Sequence, residues 1–167
     1  VDSIDILVNN AGIHMDNILL RMKTKEWHRV LDVNLNGPFY LTRILLKDMI
    51  KSKNGRIINI ASRAAFRGDT PNYLAYAASK AGMVALVKSI ARGFGKDGIT
   101  AFSIAPGFTR TAMAQMSIDK HGEDFVVQDI SLNRLTEPSD IAPIVTLICS
   151  GKFDHGTGSN IYINAGS

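Results

Sequence analysis

The chain reads as an α/β protein built on one parallel sheet of about four strands. Two patterns predict this: runs rich in Ile and Val recur at 4–8, 56–61, 99–105 and 160–164, and amphipathic helical stretches fall between them. The composition agrees, since 167 residues with 46% hydrophobic and 20% charged side chains suffice for one globular core spanning 1–167.

Each element follows from local pattern. IDILV is a near-continuous apolar strand of the kind that lies between two neighbours in a parallel sheet, and the opening VDSIDILVNNAG reads as core strand rather than as a leader. From Thr24 to Lys51, Trp27, Val30, Leu31, Leu35, Pro38, Leu41, Leu45 and Met49 repeat at helical spacing, with Thr24 as the expected N-cap and Lys53-Asn54-Gly55 as the stop. After RIINIA, a second helix is expected from Pro71 to Phe94, ending at Gly95 or Gly98 and feeding the strand ITAFSIA. A last helix starts near Pro138, where proline is tolerated, and ends about Ser150, before NIYIN. Phe108 to Leu135 is expected to be irregular, and excursions of that length often cover a ligand. No repeat or linker divides the chain.

The net charge of +4 is spread along the sequence rather than gathered into a stripe, which argues against nucleic acid. The single cysteine, Cys149, cannot form an internal disulfide, so a reducing compartment, the cytoplasm by default, is expected. No apolar run approaches the length of a membrane span. His14, His28, His121 and His155 lack metal-ligand spacing and read as non-catalytic, and no metal site is expected.

In open α/β sheets ligands sit beyond the carboxyl ends of the strands. Those ends carry Asn9-Asn10-Ala11-Gly12, then Ser62, then Pro106-Gly107 followed by Thr109 and Thr111. Tyr76 and Lys80, four apart on the second helix, stack on one face, whereas Tyr73 is seven from Lys80 and reads as a packing or wall aromatic. An ammonium beside a phenol favours phenolate and is expected to pull Tyr76 down, giving a proton donor and acceptor. The Ser62 hydroxyl can hold a carbonyl oxygen. Asn34 lies on the apolar stripe four residues before Pro38, which has no N–H for its carbonyl. That carbonyl is expected to hold a water linking Lys80 to solvent. Arg63, Arg67 and Arg110 lie near the cleft and read as solvated surface charge.

NNAG at 9–12, the asparagine of DVNLNGPF, the serine ending INIAS, YxxxK at 76–80 and PG followed by threonine at 106–111 occur in one order across nearly the whole chain. Together they resemble the short-chain dehydrogenase/reductase family, and DNILLRMKTKEWHRVLDVNL is most similar to its 3-oxoacyl-acyl-carrier-protein reductase branch, though sugar and polyol dehydrogenases share much of it. The resemblance implies a doubly wound, Rossmann-like parallel sheet of which this chain is the carboxyl-terminal two-thirds. It implies a catalytic tetrad of Asn34, Ser62, Tyr76 and Lys80, and NAD or NADP as cofactor. Asn10, Ala11 and Gly12 would line the adenosine side and Tyr76 and Lys80 the ribose, with Pro106, Gly107, Thr109 and Thr111 facing the carboxamide. The substrate would be a small or carrier-linked carbonyl compound and the assembly a homodimer or homotetramer.

Three departures stand out. The TGxxxGxG turn does not occur in these residues, Ser62 and Tyr76 are 14 apart, about one more than is usual, and the end reads NAGS instead of a DGG-like turn. Against an enzyme stands a second reading, a catalytically silent fragment or interaction module that keeps the scaffold without binding the cofactor. Such a fragment would present the strand at 4–8 as an apolar edge prone to pairing.

Overall fold

A computed structural model describes residues 3–167; Val1 and Asp2, the first of the residues read as core strand, lie outside them. Four strands form one parallel sheet in chain order: β1 (Ile6–Asn9), β2 (Gly55–Ile60), β3 (Ile99–Pro106) and β4 (Asn160–Ile163). The register sets Val8, Ile58 and Phe102 side by side, and Ile104 against Ile161.

Alternation along each strand sends neighbouring side chains to opposite faces, and both faces are covered. On one, Ile57, Ile99 and Ala101 pack with Met49, Val87 and Ile90 from the helices α2 (Gly37–Ser52) and α4 (Leu74–Phe94). On the other, Ile58, Phe102 and Ile104 pack with Ile148 of α7 (Pro138–Cys149). Helices on both faces of a parallel sheet make the fold doubly wound, as expected from the alternating pattern.

The first helical stretch is two helices in line. The helix α1 (Thr24–Leu31) is capped by Lys23, not by Thr24 as expected: the Glu26 carboxylate accepts the Lys23 N–H at 2.8 Å, leaving Thr24 as the first helical residue. Between α1 and α2 the backbone widens into a π-turn at Asp32–Asn36, closed by the Gly37 N–H donating to the Asp32 carbonyl. Pro38 explains the widening. A proline in a regular helix withholds one N–H and crowds the carbonyl four residues back, here that of Asn34; an extra residue in the turn relieves both. The chain then leaves α2 at Lys53, which takes the left-handed conformation.

Before α4 lies one 3₁₀ turn, Pro71–Tyr73, and after it another, Gly95–Asp97, with Gly98 at φ +80° completing the stop. Within Pro71–Asp97 an 18-residue stretch has a mean hydropathy of 1.2, long and apolar enough by composition to cross a membrane, which corrects the expectation that no run is. In this fold it is the central helix, with Met83, Val84, Val87, Ile90 and even Lys80 buried.

The segment expected to be irregular holds two helices, α5 (Ala112–His121) and α6 (Glu123–Val127). Thr111 caps α5 by accepting the Ala114 N–H, and Gly122 at φ +82° ends it. Val127, Ile130 and Leu135 then make a small core of their own with Phe108 and Ile118. A short helix, α3 (Ala64–Arg67), follows β2.

Gly98 and Gly122 share a positive φ but differ in surroundings: a Cβ on Gly98 would run into the Lys53 carbonyl, whereas one on Gly122 meets nothing within 4 Å. Gly98→Ala therefore destabilises by more than about 2 kcal/mol and Gly122→Ala by about 1 kcal/mol, the backbone strain alone. Urea unfolding of the two variants checks the difference.

Candidate active site

The ends of β1, β2 and β3 meet the middle of α4, and buried amides tie them there. Asn9 donates to the Asn59 Oδ1 at 2.8 Å, and Asn59 in turn donates to the Met83 carbonyl at 3.3 Å. Asn59 is fully buried in the middle of an Ile-rich strand, where an unpaired amide would cost a few kcal/mol. These bonds dock the helix on the sheet at the level of the site. Sequence reasoning named Asn9 only as part of the strand-end NNAG and passed over Asn59, although an asparagine inside RIINI is itself a signal.

Asn34 sits at the π-turn with no exposed surface. Its Oδ1 accepts the Ile13 N–H at 2.8 Å, and its Nδ2 donates to the Ile13 carbonyl at 2.8 Å and to the Ser79 hydroxyl at 3.0 Å. The loop after β1 is thereby clamped to α4. The side chain is fully committed to this clamp, so the expected link to Lys80 has only the main-chain carbonyl to run through.

Tyr76 and Lys80 share a face of α4 as their spacing predicts, with the Lys80 Nζ 5.5 Å from the Tyr76 ring centre. The electrostatics differ from expectation. Burial pushes the Tyr76 phenol up, the nearby Asp69 charge adds to that, and a hydrogen bond with Ser62 pulls the other way without overcoming it. Lys80 is not the lever. Its ammonium donates to the Ile60 carbonyl at 2.7 Å, and burial lowers it to about 8. Tyr76 thus holds its proton at neutral pH, which suits a donor better than an acceptor.

Ser62 lies near enough to Tyr76 to act on its phenol despite the longer spacing between them, and its oxygen accepts the Ala64 N–H at 3.2 Å. Gly12 completes the cluster: a Cβ there would lie 3.3 Å from the Lys80 Nζ and 3.5 Å from the Asn34 Oδ1. Asn10 and Ala11 are exposed at the rim. The structure therefore brings Gly12, Asn34, Ser62, Tyr76 and Lys80 together.

The residues after β3 are arranged more locally. Pro106 is buried, Gly107 lies against the Asn164 backbone, and the Thr109 hydroxyl donates to the Gly107 carbonyl at 3.0 Å. Thr111 is engaged as the α5 cap. Arg110 is not free surface charge, as expected, but binds Glu123 at 2.6 Å and Glu137 at 2.8 Å, joining α6 to the start of α7. Arg63 is half-buried, its N–H on the Pro106 carbonyl at 3.0 Å. No group of metal-ligating residues occurs among the described residues.

A serine and a tyrosine beside a buried lysine at the strand ends of a doubly wound sheet are the signature of a class of oxidoreductases, and comparison with known proteins agrees. Residues 1–167 match the family model described as enoyl-(acyl carrier protein) reductase. The 3-oxoacyl-[acyl-carrier-protein] reductase FabG of Haemophilus influenzae is 39% identical over 163 residues, covering 98% of this chain and 66% of the relative. That of Aquifex aeolicus is 39% identical over 166 residues, 99% of this chain and again 66% of the relative. Among solved structures, a putative gluconate dehydrogenase from Agrobacterium tumefaciens superposes with a TM-score of 0.94 at 30% identity, covering 98% of this chain and 65% of the other. A 4-hydroxyisoleucine dehydrogenase complexed with NADH gives 0.93 at 35% identity, covering 98% and 68%. The chain belongs to the short-chain dehydrogenase/reductase family. It spans about two-thirds of the length of the curated relatives it matches.

Two measurements check the site's physics. Asn34→Ala leaves three polar groups without their partner, so it costs on the order of 3 kcal/mol and speeds amide exchange at Ile13 at least about tenfold. For Lys80, the folded value of about 8 lies below the reference of 10.5, so between those values the unfolded chain binds more protons and stability rises with pH. The unfolding free energy of the native chain relative to Lys80→Met therefore climbs by on the order of 3 kcal/mol from pH 8 to pH 10.5, read by denaturant titration at each pH.

Proposed function

We propose that the chain is the catalytic part of an NAD(P)-dependent oxidoreductase that reduces a ketone, with Tyr76 as the proton donor. The observation that carries this reading is the Tyr76 phenol, held protonated beside Ser62 and one helical turn from the buried Lys80 ammonium.

The residues fit a dinucleotide's ribose. Lys80 has three N–H donors, one of which is on the Ile60 carbonyl, with a sulfur contact to Met83 at 3.7 Å. Donor capacity is left over on the side where Gly12 presents no side chain. Lys80 and Tyr76 would hold the ribose, Gly12, Ala11 and Asn10 the adenosine side, and Pro106, Gly107, Thr109 and Thr111 the carboxamide. The nicotinamide, when bound, supplies the hydride to the carbonyl carbon. Ser62 holds the carbonyl oxygen beside Tyr76. As the carbon–oxygen π bond opens, its electron pair moves to oxygen, which takes the Tyr76 proton. Asn34 fixes the loop over the site through Ile13, and its main-chain carbonyl offers the path by which Tyr76 regains a proton.

The relatives are named for 3-oxoacyl-[acyl-carrier-protein] and the structural neighbours for gluconate and 4-hydroxyisoleucine, so the substrate of this chain is a carbonyl compound of one of these kinds, carrier-linked or small. Self-association as a homodimer or homotetramer in the cytoplasm is part of the proposal. It is supported by the exposed apolar side chains of Phe39, Tyr40, Leu41 and Ile44 on α2.

The test uses the full-length protein and a fluorescence titration with NADH and NADPH. Binding followed by ketone turnover is expected, and Tyr76→Phe lowers turnover by at least about a thousandfold with cofactor affinity within about threefold. Retained activity in that variant removes Tyr76 from the role. A native chain that binds neither dinucleotide leaves the silent-scaffold reading standing.

A further inference from the structure

Beside the catalytic group runs a second set of polar contacts that the reaction above does not use. The loop after β1 follows α4 residue by residue: Gly12 lies against Lys80, Ile13 is clamped by Asn34 to Ser79, and the His14 ring packs edge-on against Tyr73 with centres 5.3 Å apart. The 3₁₀ turn that holds Tyr73 leads straight into α4, so between its contacts at Lys80 and Tyr73 the loop passes Tyr76. His14 is therefore beside the position where a carbonyl on Tyr76 would carry its next substituents.

Its orientation is set by Asp16. The Asp16 carboxylate binds the His14 Nδ1, and the Tyr73 phenol is pushed up by its burial and by the Asp16 charge nearby. The Asn17 N–H donates to the Asn72 carbonyl at 3.1 Å, tying the far end of the loop to the turn before α4. A carboxylate on Nδ1 places the ring proton there and leaves Nε2 as an acceptor with its lone pair outward. Nε2 has no hydrogen-bond partner among the described residues.

We propose that His14, oriented by Asp16 and backed by Tyr73, is a substrate-binding residue that selects ketones carrying a hydroxyl group next to the carbonyl, the hydroxyl donating to Nε2. His14 is thus the specificity contact, and Asp16 is a positioning residue that acts through it. This rests on the oxidoreductase reading and narrows its substrate to small hydroxylated ketones rather than plain acyl chains.

Full-length enzyme is assayed with 1-hydroxy-2-butanone and 2-butanone, which differ by the one hydroxyl. The native enzyme favours the hydroxyketone in kcat/KM, and His14→Leu lowers that value at least about thirtyfold while changing 2-butanone by no more than about twofold. His14→Gln, which restores an acceptor, recovers part of the loss. Asp16→Ala raises KM for the hydroxyketone about tenfold with kcat within about threefold. Should His14→Leu fail to fold, the ¹⁵N resonance of the native His14 Nε2, recorded with oxidised cofactor, moves on adding 1-hydroxy-2-butanone and stays on adding 2-butanone. Equal losses on both ketones, no native preference, an unmoved resonance, or an enzyme that binds cofactor but turns over neither ketone overturns the assignment. Failure to bind cofactor at all instead overturns the reading beneath it.

Discussion

The site depends on one buried amide. Asn34 has no contact with water, yet it satisfies both main-chain groups of Ile13 and reaches Ser79, so one side chain joins the α1–α2 junction, the loop after β1 and the central helix. In a low-dielectric interior such bonds are strong, and the loss of any partner leaves a stranded group. That makes the arrangement of Gly12, Lys80 and Tyr76 a property of the fold rather than of a bound ligand. The candidate site is preorganised because its loop is clamped at Ile13.

The same burial sets the chemistry. An ammonium next to a phenol is an attractive explanation of acidity when only spacing is known, but the distance and the solvent decide. Lys80 stands over the Tyr76 ring and is itself desolvated, so its proton is held more weakly and its first commitment is to the Ile60 carbonyl. Tyr76 answers to its own burial and to Ser62. A phenol that keeps its proton is ready to give one, which fits reduction as the direct reaction.

Much of the scaffold was legible because strands of a parallel sheet leave uninterrupted Ile/Val runs, and all four were visible as such; β1, expected between two neighbours, lies at the edge of the sheet among the described residues, with Ile6 and Val8 exposed. The helix from Pro71 was equally plain. What escaped the sequence has physical causes. The α5 and α6 helices lack a strong apolar stripe and are held by a cap at Thr111, a stop at Gly122 and their own small core. The π-turn is a backbone answer to Pro38 that no residue pattern announces. Of the candidate site, the residues Asn34, Ser62, Tyr76 and Lys80 were readable, but the committed amide of Asn34 and the Asp16–Tyr73 contact come from long-range geometry. Asn59, the partner of Asn9, was missed because it lies inside an apolar run that reads as plain core.

The π-turn at Asp32–Asn36 has a consequence for how this stretch tolerates change. The wide turn absorbs one residue without changing which faces α1 and α2 present, so removing that residue would restore ordinary winding and bring the Pro38 ring against the carbonyl four places back. Trp27 and Val30 would keep the face they cover, while the backbone at Asn34 would be re-aimed and its amide drawn off Ile13. Length at this bend is therefore held more tightly than residue identity: side chains on its outer surface can vary freely, while a gap of a single codon would dismantle the cleft.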